Sequence, residues 1–132
     1  MSDRVHCVFR FPSLTDDQVG EVNRILGRNA NLVDYKEDVE IEELLDGGND
    51  EICALQEANI SHWVRWDAGY EFDAGMLVHE AGRPTSTAAM VCIDIHGNIV
   101  VEFNESTGEA VKDELENARL YTKIYSRLFP QT

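Results

Sequence analysis

The chain has 132 residues, 43% of them apolar, and 25 carboxylates against 11 lysines and arginines give a formal net charge of −14. That length suits one domain burying roughly two-thirds of its unfolded surface. A charge of that sign excludes direct binding to phosphate backbones or anionic lipid, which need cations, and the apolar content excludes a disordered acidic tail.

Val5, Cys7, Phe9 and Phe11 alternate with His6, Val8 and Arg10, which predicts a strand with one buried face, stopped by Pro12. Thr15 then predicts a helix N-cap, with Gln18 completing a capping box and Leu14 stapling onto Val19. Asp16 and Asp17 suit the positive end of the helix dipole. Val19, Val22, Ile25 and Leu26 form its apolar stripe, running to about Arg28.

The segment from Leu32 to Leu45 carries two periods. Val39 and Ile41 alternate with acids as an edge strand does, whereas Ile41, Leu44 and Leu45 have helical spacing. A short strand near 38–42 followed by a turn of helix is the expectation. Gly47-Gly48 ends it, and Asn49 is expected to cap a short helix over 50–58 with Ile52 and Leu55 inward. From Ile60 the texture changes to strands: Ile60 to Asp67, Tyr70 to Phe72 beyond an Asp67-Ala68-Gly69 turn, and Met76 to His79.

Ala89–Ile95 and Ile99–Phe103 predict a hairpin around His96-Gly97-Asn98. That loop pairs Ile95 with Ile99, Ile93 with Val101 and Val91 with Phe103, putting all six on one buried face. A long helix is expected from near Thr107-Gly108 to before Pro130, with Val111, Leu115, Ala118, Tyr121, Ile124, Tyr125 and Leu128 as its stripe. The fold class is therefore α+β: a single domain over 1–132, an antiparallel β-meander with an N-terminal β-α unit, and a long C-terminal helix packed on one sheet face. Helices are expected over one face of the sheet, with an acidic segment, 34–57, inserted between the β-α unit and the meander.

No apolar run approaches the roughly 18–20 residues that span a bilayer, and Met1-Ser2-Asp3-Arg4 lacks the start of a secretory signal. Cys7, Cys53 and Cys92 are an odd number with no CxxC spacing, so they are expected to be reduced and mostly buried in a cytoplasmic protein.

The charge is unevenly spread. Between Asp34 and Glu57 stand ten carboxylates and one cation, Lys36, for −9 over 24 residues; the other 108 residues hold −5. Charge concentrated in one stretch makes a directional field, whose counterpart is a basic surface. The expected partner-binding residues are Asp34, Glu37, Asp38, Glu40, Glu42, Glu43, Asp46, Asp50 and Glu51. Trp63, Trp66 and Tyr70 supply aromatic anchors. Trp63 and Trp66 alternate onto opposite faces, so one is expected in the core and the other at an interface.

Chemistry finds weaker signals. Asp46 to Glu51 is oxygen-rich, but its spacing fails the calcium loop. Cys92, Asp94 and His96 alternate onto one face without the convergence zinc requires. His62, His79 and Glu80 can meet across the meander, although His79-Glu80 lacks the second histidine of HExxH. A glycine-rich phosphate loop and a basic patch are both missing.

In size and charge the chain resembles small acidic cytoplasmic inhibitors, such as toxin-immunity proteins and phage or mobile-element proteins that block defence enzymes. The likeness is one of general character. It implies a non-enzymatic protein without a cofactor, binding the basic surface of a nucleic-acid-binding protein, nuclease or toxin, and binding neither nucleic acid nor membrane directly. Two alternatives are a small metal-dependent or acid–base enzyme using His62, His79, Asp94 or His96, and a homodimeric assembly subunit joined through the last helix.

Overall fold

A computed structural model describes residues 4–27, 38–69, 72–82 and 86–130. The capping box forms as its residues dictate: Gln18 N–H donates to Thr15 Oγ1 (3.2 Å) and Thr15 N–H to Gln18 Oε1 (2.9 Å). It follows strand β1 (Arg4–Arg10) and opens helix α1 (Asp16–Leu26), which closes at Gly27. Next come β2 (Val39–Leu45), a 3-10 turn (Asp46–Gly48) and α2 (Asn49–Glu57). Strands β3 (His62–Trp66), β4 (Gly75–Glu80), β5 (Thr87–Ile93) and β6 (Ile99–Val100) complete a six-stranded antiparallel sheet of order β2-β1-β3-β4-β5-β6. A separate hairpin of β7 (Phe103–Asn104) and β8 (Glu109–Ala110) leads into the long helix α3 (Lys112–Leu128). The protein is thus a single-domain α+β fold, with its N-terminal β-α unit and long C-terminal helix on an antiparallel sheet.

Helices cover both faces of that sheet, not one. Cys7, Phe9, Ile41, Leu44 and Val64 form one core with Val22 and Leu26 of α1 and Ile52 and Leu55 of α2. On the opposite face Trp63, Met76, Val78, Val91 and Ile93 pack with Tyr121 and Ile124 of α3. The reason lies in β3, where His62, Trp63 and Val64 are buried in succession. A strand buried on alternate and intervening positions needs cover on both sides. Each fully buried Phe9, Leu26, Leu55 or Ile124 contributes roughly 1.5–3 kcal/mol by leaving water.

The double period of the acidic segment resolves into one strand with a bulge. Val5 pairs with Leu44 and Cys7 with Ile41, so His6 faces two residues, Glu42 and Glu43. The extra residue lets Ile41 and Leu44, three apart, both point inward. After β2 the chain reverses through Asp46, Gly47 and Gly48, at φ of 52°, 70° and 80°. Two glycines are needed there because side chains are strained at such angles. Gly48, not Asn49, occupies the N-cap of α2.

The β5–β6 hairpin differs from the expected one. Ile93, not Ile95, pairs with Ile99, and Cys92 with Val100. Asp94 Oδ1 accepts the N–H groups of His96 (2.8 Å) and Asn98 (2.9 Å), winding residues 94–98 into a loop. Ile95 is consequently 90% exposed. Phe103 lies instead in the β7–β8 hairpin, opposite Ala110 and 61% exposed. That hairpin also delays the start of α3 to Lys112. Tyr70 and Glu71, in the expected second meander strand, lie outside the described residues, and Phe72 sits in a bend; β3 pairs directly with β4. Of the cysteines only Cys7 is buried, and burial, then Glu51 and Asp67, pushes its thiol up to about 12. Cys53 and Cys92 are exposed.

Candidate functional site

Strand β2 is an edge of the sheet, and the acids occupy its solvent side. Glu40, Glu42, Glu43, Asp46 and Asp50 are exposed and Glu51 is half-buried, while Val39, Ile41 and Leu44 between them anchor the strand in the core. The bulge contributes by presenting Glu42 and Glu43 consecutively. The acids continue through the turn into the first turn of α2, where Asp50 and Glu51 complement the helix dipole. Asp34 and Glu37 lie outside the described residues. The acids also serve the fold, since charge on an edge strand blocks pairing with another chain.

Compensation within this face is small. His6 Nε2 stands 3.6 Å from Glu40, and His6 Nδ1 3.8 Å from Asp67. Arg24 shares a groove with Asp50 and Glu51 but is engaged by Glu21. No ion pair joins Glu42, Glu43, Asp46, Asp50 or Glu51 to a described residue.

Asp38 is different. Arg10 Nε and Nη2 each donate to one of its oxygens at 2.8 Å. These hydrogen bonds hold the Asp38 carboxyl below its usual range. The guanidinium also lies 4.5 Å over the Trp63 ring and donates to Tyr125 Oη. Asp38 is therefore a structural partner of Arg10, removed from the steering set. The pair spans 28 residues, which is why local sequence suggests no cation for it.

The aromatic anchors also change. Trp63 is buried beneath α3, its Nε1 donating to Tyr121 Oη at 2.7 Å, so it is no interface anchor. Trp66 is half-buried against the first core and donates to the Asp73 carbonyl (3.0 Å). Its ring occupies the space a side chain at Gly75 would need. Tyr70 lies outside the described residues. Two covered faces find places for both tryptophans, so alternation alone did not leave one free.

The histidines meet only in part. His62 and His79 are cross-strand partners in the core, with ring centroids 5.4 Å apart. Both Nδ1 atoms lie against the Ile60 carbonyl, at 2.9 and 3.1 Å, and both Nε2 atoms are buried without a partner. Burial holds His62 down at about 4. Glu80 turns away to Arg127, which donates to both its oxygens (2.7 and 3.0 Å). Since His79 pairs with Ala88, Asp94 stands six residues further along the chain, just past the end of β5, roughly 20 Å away at strand rise. The Asp94 carboxylate is occupied by its own loop, and the Asn98 and His96 amides hold it below the usual range. Cys92 faces solvent, and Asp94 and His96 lie beyond the strand end. Among the described residues no group of three metal-ligating side chains comes together.

A second acidic region went unremarked in the sequence. Residues 102–116 hold six carboxylates and one cation, Lys112, for a net −5, so the rest of the chain outside 34–57 is neutral. Its acids fall on the exposed β7–β8 hairpin and the first turns of α3, with Phe103 beside them. The signal was available as a second charge run. Phe103, Val111 and Leu115 are interspersed among its acids, so the apolar period of a hairpin and a helix masks the run.

Comparison of the chain with protein families, with curated proteins and with solved structures finds no match.

Proposed function

We propose that this is a non-enzymatic acidic binding protein that engages a basic surface of another protein and inhibits it. The partner is a nucleic-acid-binding protein, nuclease or toxin, bound in the manner of a nucleic-acid mimic, an anti-defence protein or a toxin-immunity protein. The observation that carries this reading is the set Glu40, Glu42, Glu43, Asp46 and Asp50. They are exposed on a strand and the turn that follows it, and among the described residues the one basic side chain within 4 Å of any of them is His6, 3.6 Å from Glu40. Fixed, uncompensated acids raise the rate of encounter with a cationic surface, to about 10⁸–10⁹ M⁻¹s⁻¹ at low salt. The free thiols suit the reducing cytoplasm in which we place this activity. No described helix is long and apolar enough to cross a membrane.

The test is capture from the native host's lysate, run beside a variant carrying Glu40→Lys, Glu42→Lys and Glu43→Lys. These side chains are exposed, so the variant retains its fold. A basic protein held by the native chain and lost by the variant supports the reading. Its association should then slow at least tenfold as the screening length falls from about 10 Å at 0.1 M salt to about 3 Å at 1 M. Equal capture by both proteins, or a rate indifferent to salt, would sink it.

A further inference from the structure

The sheet's far side carries an edge built unlike β2. Ile93 N–H donates to the Ala74 carbonyl (3.1 Å), toward β4, whereas Asp94 N–H donates to Asn98 (2.9 Å) on the other side. These directions alternate along an antiparallel strand, so the N–H and C=O groups of Ala88 and Met90 point away from β4. Strand β6 covers only Cys92 and Ile93, and no described backbone group pairs with Ala88 or Met90 on that side. The stretch Thr87-Ala88-Ala89-Met90-Val91 has no charge and no proline, and its register with β4 has no bulge. Natural edges carry such protection, as β2 does with its bulge and glutamates.

What surrounds the open edge is apolar and acidic. Of the five large hydrophobics most exposed, three, Met90, Val100 and Ile95, line the clefts at this edge. A cleft of about 220 Å³ is lined by Met90, Val91, Cys92, Val100, Glu114 and Asn117. A wider cleft of about 660 Å³ continues from Cys92 and Val100 to Ile95. Glu114 lines the first of these clefts, and its Oε2 accepts the Glu102 N–H (2.8 Å), which sets Glu102 next to it; both belong to the 102–116 run. Side chains of an added strand alternate between faces. One set would fall beside Met90, the other beside α3 and Glu114.

We propose that the β5 edge from Thr87 to Val91 receives an extended segment of a basic partner protein, which adds a strand to the sheet with apolar side chains over Met90 and cationic ones toward Glu114 and Glu102. Backbone hydrogen bonds supply the affinity of such additions and alternate side chains the specificity. Charge decides the occupant: two copies paired at this edge would bring two −5 segments together, whereas a cationic segment is attracted to them. The inference rests on the proposed function for the sign of the partner's charge and names how the partner is held.

The probe is a short labelled peptide of alternating lysine and valine, its binding followed by fluorescence anisotropy. Ala88→Pro removes an outward N–H and leaves the β4 ladder intact, as proline is tolerated on the open side of an edge strand. Binding should weaken at least tenfold in that variant and with a backbone N-methylated peptide, which needs no change to the protein. It should persist within about threefold when Glu40, Glu42 and Glu43 are replaced by lysine, because those charges lie on the opposite edge. Equal binding of the N-methylated peptide, or none by the native chain, overturns the edge assignment and leaves the charge reading standing. Equal binding of a glutamate–valine peptide overturns the basic class of segment at this edge, while the β2 charge reading stands or falls on the lysate capture alone. Dimerisation of the peptide-free protein in sedimentation, abolished by Ala88→Pro, makes a second copy the occupant and overturns this assignment.

Discussion

The guanidinium of Arg10 meets both oxygens of Asp38, the ring of Trp63 and the hydroxyl of Tyr125. Arg10→Ala should therefore cost about 2–3 kcal/mol in urea denaturation, through lost stacking as well as lost charge. Asp38→Asn should cost about 1 kcal/mol, since the Arg10 and Asp38 side chains are 34% and 39% exposed and solvent screens the pair. If both variants match the native midpoint, the contact is ornamental. His62 gives a pH prediction. Its folded value of about 4 lies below its ordinary 6.5, so the unfolded chain binds the extra proton between those values. Stability is then full above about pH 6.5, falls as pH drops toward 4, and stops falling from this cause below that. The loss should amount to about 3 kcal/mol. Denaturant midpoints from pH 7 to 4 would show it, and His62→Gln should flatten that part of the profile.

At the scale of elements, the bulge in β2 makes a prediction by deletion. Removing Glu43 leaves Val39, Ile41 and Leu44 in plain alternation, all facing the core, and should cost less than about 1 kcal/mol. Removing Glu40 instead turns Val39 or Ile41 to solvent and draws Asp38 away from Arg10. That deletion should cost about 2–4 kcal/mol in the same melts. Similar losses from both would mean the bulge does not set the register.

What could be read in advance follows the same physics. The capping box of α1, the inward Ile52 and Leu55 of α2 and the stripe of α3 depend on near neighbours in sequence, and all were legible. The bulge was visible only as an unresolved clash of periods at Ile41 and Leu44. The β5–β6 register was missed because Asp94 folds its own loop, a local hydrogen-bond choice that outweighed burying Ile95. Both-face coverage, the Arg10–Asp38 pair and the meeting of His62 with His79 arise from contacts between distant segments, which no local pattern encodes. The acidic edge was legible as charge, but which acids stay uncommitted was not.

For the molecule as a whole, a charge of −14 opposes compaction, and added salt relieves that repulsion. The thermal midpoint should climb by several degrees between about 10 and 300 mM sodium chloride. It should climb less in the Glu40, Glu42 and Glu43 lysine variant. A midpoint that stays flat or falls would show the acids already compensated in the folded state.

The covering of the second sheet face by α3 has a consequence for how the protein is made. Strands β3, β4 and β5 present Trp63, Met76, Val78 and Val91 to that face, and the helix that seals it follows all of them in chain order. Synthesis proceeds at about 5–20 residues per second, so for several seconds each nascent chain shows this greasy surface before its cover exists. The residues of the open β5 edge also precede that helix in the chain. Ribosome-bound chains halted before Lys112 should therefore recruit chaperones and clump, while those extended past Leu128 should not.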